Sequence, residues 1–496
     1  MEFAIIARNR PENEQKEKND MLSRRTFLSS IAAAGAGFCG AKAAETADAM
    51  VKFGVLSDSH VTADPETAEP LRRIFRHMSE EGVDAVLHCG DICEAGTLAE
   101  LEHVAAAWRE AFPGGKNAKG RPAVPFFVFG NHDYHAASYV RGKEVTDRDR
   151  AEGILYNKEK AWRMLTGEPF PGEVFEKTIN GIRFVGAHWK HEQEVLELFA
   201  KNPPGGAKPF FYVQHPHPGN TCFGPWVAAA GLPAKELVKY ANAFSFSGHS
   251  HTTVSDDRAI WQGGFVSMGA GSARLVSTGR RPGCENAGLK PWPKGVVRHM
   301  LEVKGGVAWQ ASIVTVWPDR VEVARRDYKY GETIGEPWVL DFPFRHDPDA
   351  PFAVADAARA PQFPADAKIS VRERTGTRRP DKASEKQAYL TFPAAIGDGP
   401  HARVFYYRTE VLDGNGKTLL ERKTVQPCVS TAESRTMKSP GNCAFALEEL
   451  PDDAPVRFRV HPQNTSGKEG RPLVSEPFVF RHGTPPAAQG AQGKAL

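Results

Sequence analysis

Cysteine is scarce, with seven residues in 496 at positions 39, 89, 93, 222, 284, 428 and 443. Cys89 and Cys93 have no second pair behind them, so the spacing excludes a zinc ribbon. An excess of charge of one sign is also lacking. The formal net charge is +3, which gives no indication of binding to a nucleic acid polymer through bulk charge. The apolar stretch at 31–38 is too short and too rich in glycine to span a bilayer, so no transmembrane anchor is expected there. No internal repeat is visible. What is present is ordinary for a globular chain: 41% hydrophobic and 25% charged residues supply ample material for a core. The length suggests roughly two to four domains.

The N-terminal segment, 1–43, reads as a targeting signal. Ser23-Arg24-Arg25-Thr26-Phe27-Leu28 is a twin-arginine run, and Ala41-Lys42-Ala43 fits a small-x-small cleavage site after the apolar stretch. Export by the twin-arginine route to the periplasm or cell exterior is expected, with Met21 as the translation start. Loss of 1–43 would remove seven Lys/Arg and five Asp/Glu and leave a mature chain near +1. An oxidising compartment permits disulfides. Cys428 and Cys443 are expected either to pair or to stand as two buried thiols.

From 51 to about 250, short apolar runs alternate with amphipathic stretches. Strands are expected at 51–56, 85–87, 126–129, 174–179, 181–187, 209–214 and 243–246. Helices are expected at 68–82, 98–112, 148–166, 191–201 and 233–242. Asn180-Gly181 signals a hairpin. Beyond 251 the pattern is β only, near 258–262, 264–268, 296–304, 307–316 and 319–326. This order suits two facing sheets with helices on the outer faces, an α/β/β/α sandwich at 50–345. A linker rich in Pro, Ala and Asp follows at 346–365. A small all-β sandwich is expected at 366–482, weakly similar to a fibronectin type III module. The tail, 483–496, reads as disordered.

Polar residues cluster at the carboxyl ends of these strands. Asp58 and His60 stand in LSDSH, Asp91 in HCGD, and Asn131, His132 and Asp133 in FGNHDYH. His215 stands in QHPH, and His249 and His251 in SGHSH. Strand ends are where an α/β sheet delivers chemistry. Carboxylate, amide oxygen and imidazole without cysteine are the donors that hard or borderline divalent cations take.

The ordered set DSH, GD, GNHD, H and GHSH resembles the calcineurin-like metallophosphoesterase family over about 51–330. The resemblance implies a phosphohydrolase with two divalent ions (Mn, Fe or Zn) and a small-molecule phosphoester substrate, and the twin-arginine run adds export. In that family's pattern Asp58, His60 and His251 hold the first metal, and Asn131, His215 and His249 hold the second. Asp91 bridges them, His132 serves as general acid, and Asp133 orients His132. Glu94 stands where the purple acid phosphatases carry a tyrosine ligand, which argues against that branch. His88, Cys89, Tyr134, His135 and His217 read as packing or support.

Arg280 and Arg281 lie in a long Gly/Pro-rich stretch, 275–297, that reads either as a solvated connection or as a loop over the site. Two other functions fit less well. A periplasmic nucleotidase would call for a larger second domain, and a cyclic nucleotide phosphodiesterase is the related alternative. A non-catalytic surface protein, with envelope or glycan contact through the C-terminal module, would have no need of the full ligand set.

Overall fold

The computed structural model describes residues 48–134, 146–219, 221–222, 232–256, 259–274, 309–353, 360–377, 383–397, 404–425, 440–464 and 468–482. The twin-arginine segment, His135, Arg280, Arg281, Cys284, Cys428, the strand expected at 296–304 and the terminal tail lie outside them.

Two mixed sheets form the first region. The strands β1 (Val51–Leu56), β2 (Ala85–Cys89) and β3 (Val124–Val128) run parallel, with Phe53 opposite Ala85 and Leu87 opposite Phe126. The hairpin β4 (Val174–Ile179) and β5 (Ile182–Ala187) opens the second sheet. β6 (Phe210–Val213), β7 (Ala243–Ser247) and, beyond the short β8 (Ile260–Gln262), β9 (Val266–Gly269) continue it, so that β5, β6, β7 and β9 are parallel. β10 (Gln310–Val316) returns antiparallel beside β1 and pairs in turn with β11 (Arg320–Asp327), against which β12 (Glu332–Thr333) and β13 (Trp338–Asp341) close the first sheet's far side. The turn Asn180-Gly181 has φ of 49° and 75°, as the two-residue hairpin demands.

The strands carry apolar residues on both faces because both faces are covered. Between the sheets, the Phe53 ring lies 5.2 Å from Phe184 and 4.8 Å from Phe211. On the outer face of the first sheet, the helices α1 (Glu69–Glu81) and α2 (Leu98–Ala111) place Phe75 and Trp108 over Phe127. Thr97 and Glu100 form a capping box that starts α2. On the outer face of the second sheet, Phe199 packs against Phe210 and Tyr240. The α/β/β/α sandwich is thus present.

The helix expected at 148–166 is broken. α3 (Asn131–Tyr134) is a single turn after β3. α4 (Asp147–Glu152) then ends where the Asn157 amide donates to the carbonyls of Arg150, Ala151 and Gly153, and α5 (Lys158–Thr166) starts afresh. The expected helix at 191–201 begins as a 3-10 turn, with α6 confined to Val195–Lys201, and that at 233–242 shrinks to α7 (Ala234–Leu237). The first part of the expected linker is docked. Phe352 joins the first core and exchanges hydrogen bonds with Gln262 at the edge of the second sheet.

The C-terminal region is all antiparallel β. β14 (Ser370–Gly376), β15 (Glu385–Phe392) and β18 (Gly441–Ala446) form one sheet. β16 (Val404–Leu412), β17 (Thr418–Val425), β19 (Pro455–Asn464) and β20 (Leu473–Val474) form the other, with β21 (Phe478–Val479) beside β19. Leu390, Val411, Phe445 and Phe458 meet in one core cluster, as a sandwich requires. Cys443 is a buried free thiol there.

Candidate metal centre

Each site residue follows a strand whose buried side chains fix where its carboxyl end lies. Asp58 follows β1, Asp91 follows β2, Asn131 follows β3, His215 follows β6, and His249 and His251 follow β7. Backbone bonds then tie the ends together. Asp58 donates its amide to the Gly90 carbonyl, His60 to that of Asp91, and Gly248 to that of His215. The loop after β9 closes on the first motif, with Ser272 Oγ donating to the Asp58 carbonyl at 2.9 Å.

Five of these residues adopt left-handed backbone: Asp58 (φ 52°), His60 (43°), Asp91 (52°), His249 (67°) and His251 (54°). Eight described non-glycine residues do so in all, so most of the uncommon backbone is at one place. Such conformations cost of order 1 kcal/mol or more each and persist where the surroundings impose them, typically at functional sites. Two glycines allow the close approach. A Cβ on Gly90, itself at φ 93°, would lie 2.5 Å from His215 Nδ1, and one on Gly248 would overlap the side chains of Ser57 and Asp58.

Three groups of donor atoms result, two of them built on the buried carboxylates and a third of His60, Glu94 and His132 at the partly exposed side. In the first, Asp58 Oδ1 lies 3.1 Å from His251 Nε2 and 3.8 Å from His60 Nε2, and the two ring nitrogens are 3.1 Å apart. In the second, Asp91 Oδ2 lies 3.1 Å from His215 Nε2, and His249 packs 4.9 Å from the His215 ring. Asp58, His60 and His251 could share one ion, and Asp91, His215 and His249 another. Asp91 Oδ2 also lies 3.8 Å from His60 Nε2, so that carboxylate stands between the groups. Asn131 is buried one residue before the His132 amide, which donates to Asp91 Oδ1 at 2.8 Å.

The donor chemistry fits divalent cations. His215 Nδ1 donates to the Cys89 carbonyl at 2.7 Å, so the lone pair of the neutral ring sits on Nε2. That nitrogen is buried without a hydrogen bond and faces a carboxylate oxygen. Two electron-rich atoms in that arrangement call for a cation or a proton between them. The acid–base balance agrees. Burial works against the charged forms of Asp58 and Asp91, yet the neighbouring histidines hold both below the usual carboxylate range. Burial likewise opposes charge on His60 and His215, but Asp58, Glu94 and Asp91 push His60 up to about 10 and Asp91 and Asp58 push His215 up to about 9. The site thus selects positive charge.

His132 lies beside this centre, its ring 4.5 Å from that of His60. Its Nδ1 donates to the Glu94 carbonyl at 2.7 Å. Asp133, expected to orient His132, meets three backbone amides. The Asp133 carboxylate is buried and accepts the backbone amides of Gly130 (2.8 Å), Ile92 (3.1 Å) and Cys93 (2.8 Å). It ties the second motif to the third.

Of the neighbours expected to pack, those among the described residues do so. His88 is buried and bonds Ser59 Oγ; Cys89 and Cys93 are buried thiols pushed up by burial. Tyr134 donates to Glu173, and His217 meets Ser250 and Cys222. Sequence reasoning gave no role to Glu94, Arg274 or Trp189. The Trp189 ring packs 5.9 Å from His215 and 5.6 Å from His249, and Glu94 Oε2 lies 3.0 Å from His60 Nδ1. Only the place of Glu94, three residues after Asp91, hinted at proximity.

Glu192, on the 3-10 turn before α6, is 1% exposed, and burial pushes its carboxyl up to about 7 from an ordinary 4.5. Below pH 4.5 both folded and unfolded chains hold this proton. As pH rises from 4.5 to 7 only the unfolded chain releases it, so stability falls by up to about 3 kcal/mol and then levels off. Glu192→Gln should therefore be more stable than the parent in urea at pH 8, with the difference shrinking toward pH 5. Identical pH dependence in the two proteins would refute this.

Residues 51–253 match the family model for calcineurin-like phosphoesterases. No curated protein matches the chain. Among solved structures, the chain is similar to a conserved uncharacterized protein from Streptococcus pneumoniae TIGR4, described as a predicted phosphoesterase. The identity is 15%, the TM-score 0.24, and the match covers 59% of this chain and 97% of that one. An archaeal phosphodiesterase is similar at 14% identity and a TM-score of 0.25, over 58% of this chain and 99% of the other.

Proposed function

We propose that this chain, a phosphoester hydrolase by its calcineurin-like domain at 51–253, works with two divalent cations on small phosphoesters outside the cytoplasm. The observation that carries this reading is Asp91, one buried carboxylate between two groups of imidazole and carboxylate donors. In this reading Asp58, His60 and His251 hold one ion, His215, His249 and Asn131 hold the other, and Asp91 serves both. The bound ions would neutralise the phosphoryl oxygens and lower the pKa of the attacking water. His132 works from the chain itself. With Nδ1 committed to the Glu94 carbonyl, Nε2 is the atom that carries the exchangeable proton, and the protonated ring delivers it to the leaving oxygen. The twin-arginine run supports export. The hydrolase region spans 50–345, with the C-terminal sandwich at 366–482. Among the described residues no helix is long and apolar enough to cross a membrane.

Purified protein reconstituted with Mn, Fe or Zn and assayed on phosphomonoesters, diesters and nucleotides should turn over at least one class, with two equivalents of metal bound per chain. Turnover that persists fully after chelation, or no turnover with any of these metals, would overturn the reading.

A further inference from the structure

We propose that Glu94 is a positioning residue that fixes the ring of His60 and, through its own backbone, the ring of His132. Resting on the cation-centre reading above, the inference adds a residue to neither ligand set. Glu94 Oε2 lies 3.0 Å from His60 Nδ1, off the ideal hydrogen-bond line. The carbonyl of the same residue accepts His132 Nδ1–H at 2.7 Å. Its amide donates to the Val61 carbonyl at 2.9 Å, which pins the backbone beside the first motif. Arg274 completes the group: its guanidinium donates to the His60 carbonyl and lies 3.3 Å from Glu94 Oε2.

The chemistry follows from the two ring nitrogens of His60. Nε2 faces Asp58 Oδ1, Asp91 Oδ2 and His251 Nε2. A histidine that ligates through Nε2 carries its proton on Nδ1, and a carboxylate or carbonyl on that side sets both tautomer and ring angle. Glu94 is the carboxylate on that side. Without it a buried N–H has no acceptor, and the ring is free to adopt the other tautomer, which would point a proton at Asp58 and Asp91. Arg274 keeps the Glu94 carboxylate from swinging into solvent, a real alternative for a side chain that is 46% exposed. That exposure also means the effect lies in orientation rather than in a strong charge interaction, since solvent screens the pair.

The test compares the parent with Glu94→Ala and Glu94→Gln. Binding of Mn²⁺ is followed by competition with a chelator, and the His60 ring is followed by ¹⁵N shifts in the metal-free protein. Circular dichroism and Tm report on the fold. Glu94→Ala should keep its fold and lose about 10–100-fold in affinity at one of two Mn²⁺ sites, the usual worth of a group that orients a ligand. The other site should be unaffected. Glu94→Gln keeps an acceptor oxygen and should recover part of the loss. In the metal-free protein, at a pH above the raised pKa of His60 where the ring is neutral, the His60 shifts should move from a single Nδ1–H tautomer toward a mixture in Glu94→Ala. Unchanged affinities at both sites, or a His60 tautomer identical in parent and Glu94→Ala, would overturn the proposal. A parent chain that binds no cation would instead overturn the metal reading, and the tautomer shifts would still decide the role of Glu94.

Discussion

Asp91→Asn is expected to lower affinity at both cation sites and to remove detectable turnover while the fold survives. The residue stands on left-handed backbone, 3.1 Å from His215 Nε2 and 3.8 Å from His60 Nε2. A neutral amide retains an oxygen for the His132 backbone N–H, so the strand-end geometry should hold. What it cannot retain is the charge that both donor groups share. Taking one partner from a buried charge pair costs roughly 3–5 kcal/mol. That is about 10²–10⁴-fold in an affinity, at 1.4 kcal/mol per factor of ten. Metal content after dialysis, measured beside circular dichroism, checks it. A folded variant that keeps two metals and full activity would dismiss Asp91 as the shared group.

His132→Asn should leave both cations bound and lower kcat by ~10²–10⁴-fold on an alkyl phosphate, the usual worth of general acid catalysis. Asparagine suits the test because its amide N–H can replace Nδ1–H toward the Glu94 carbonyl, so the backbone contacts survive and only the proton on the far nitrogen is lost. On an aryl phosphate with an acidic phenol the leaving group needs little help, and the loss should be much smaller. Steady-state kinetics on a series of leaving groups, with metal content measured in parallel, reads this out. An equal loss across the series would assign His132 to phosphate positioning. Loss of a metal would move it into a ligand set.

These two variants separate charge sharing from proton transfer because the tertiary structure keeps them on different atoms. Asp133 shows why that separation could not be taken from adjacency. It follows His132 in the chain, yet its carboxylate serves amides at 92, 93 and 130.

The sequence by itself determined the fold class, the ends of β1 and the hairpin at Asn180-Gly181, and which residues would stand at strand ends. All of these rest on short-range signals: apolar runs, a turn dipeptide, and polar residues placed directly after a strand. Where those signals were weak, reading failed. β14, with its run of charged residues on a largely exposed strand, carries no apolar alternation and was not anticipated. The stretch 148–166 kept helical periodicity across a break that Asn157 imposes through side-chain bonds. Tertiary structure alone decided the rest. Asp58 meets His251 across nearly two hundred residues, and Glu94 meets Arg274 across almost as many. Such contacts, and the left-handed backbone at five candidate site positions, are set by how two sheets pack face to face, and no local preference of the chain encodes them.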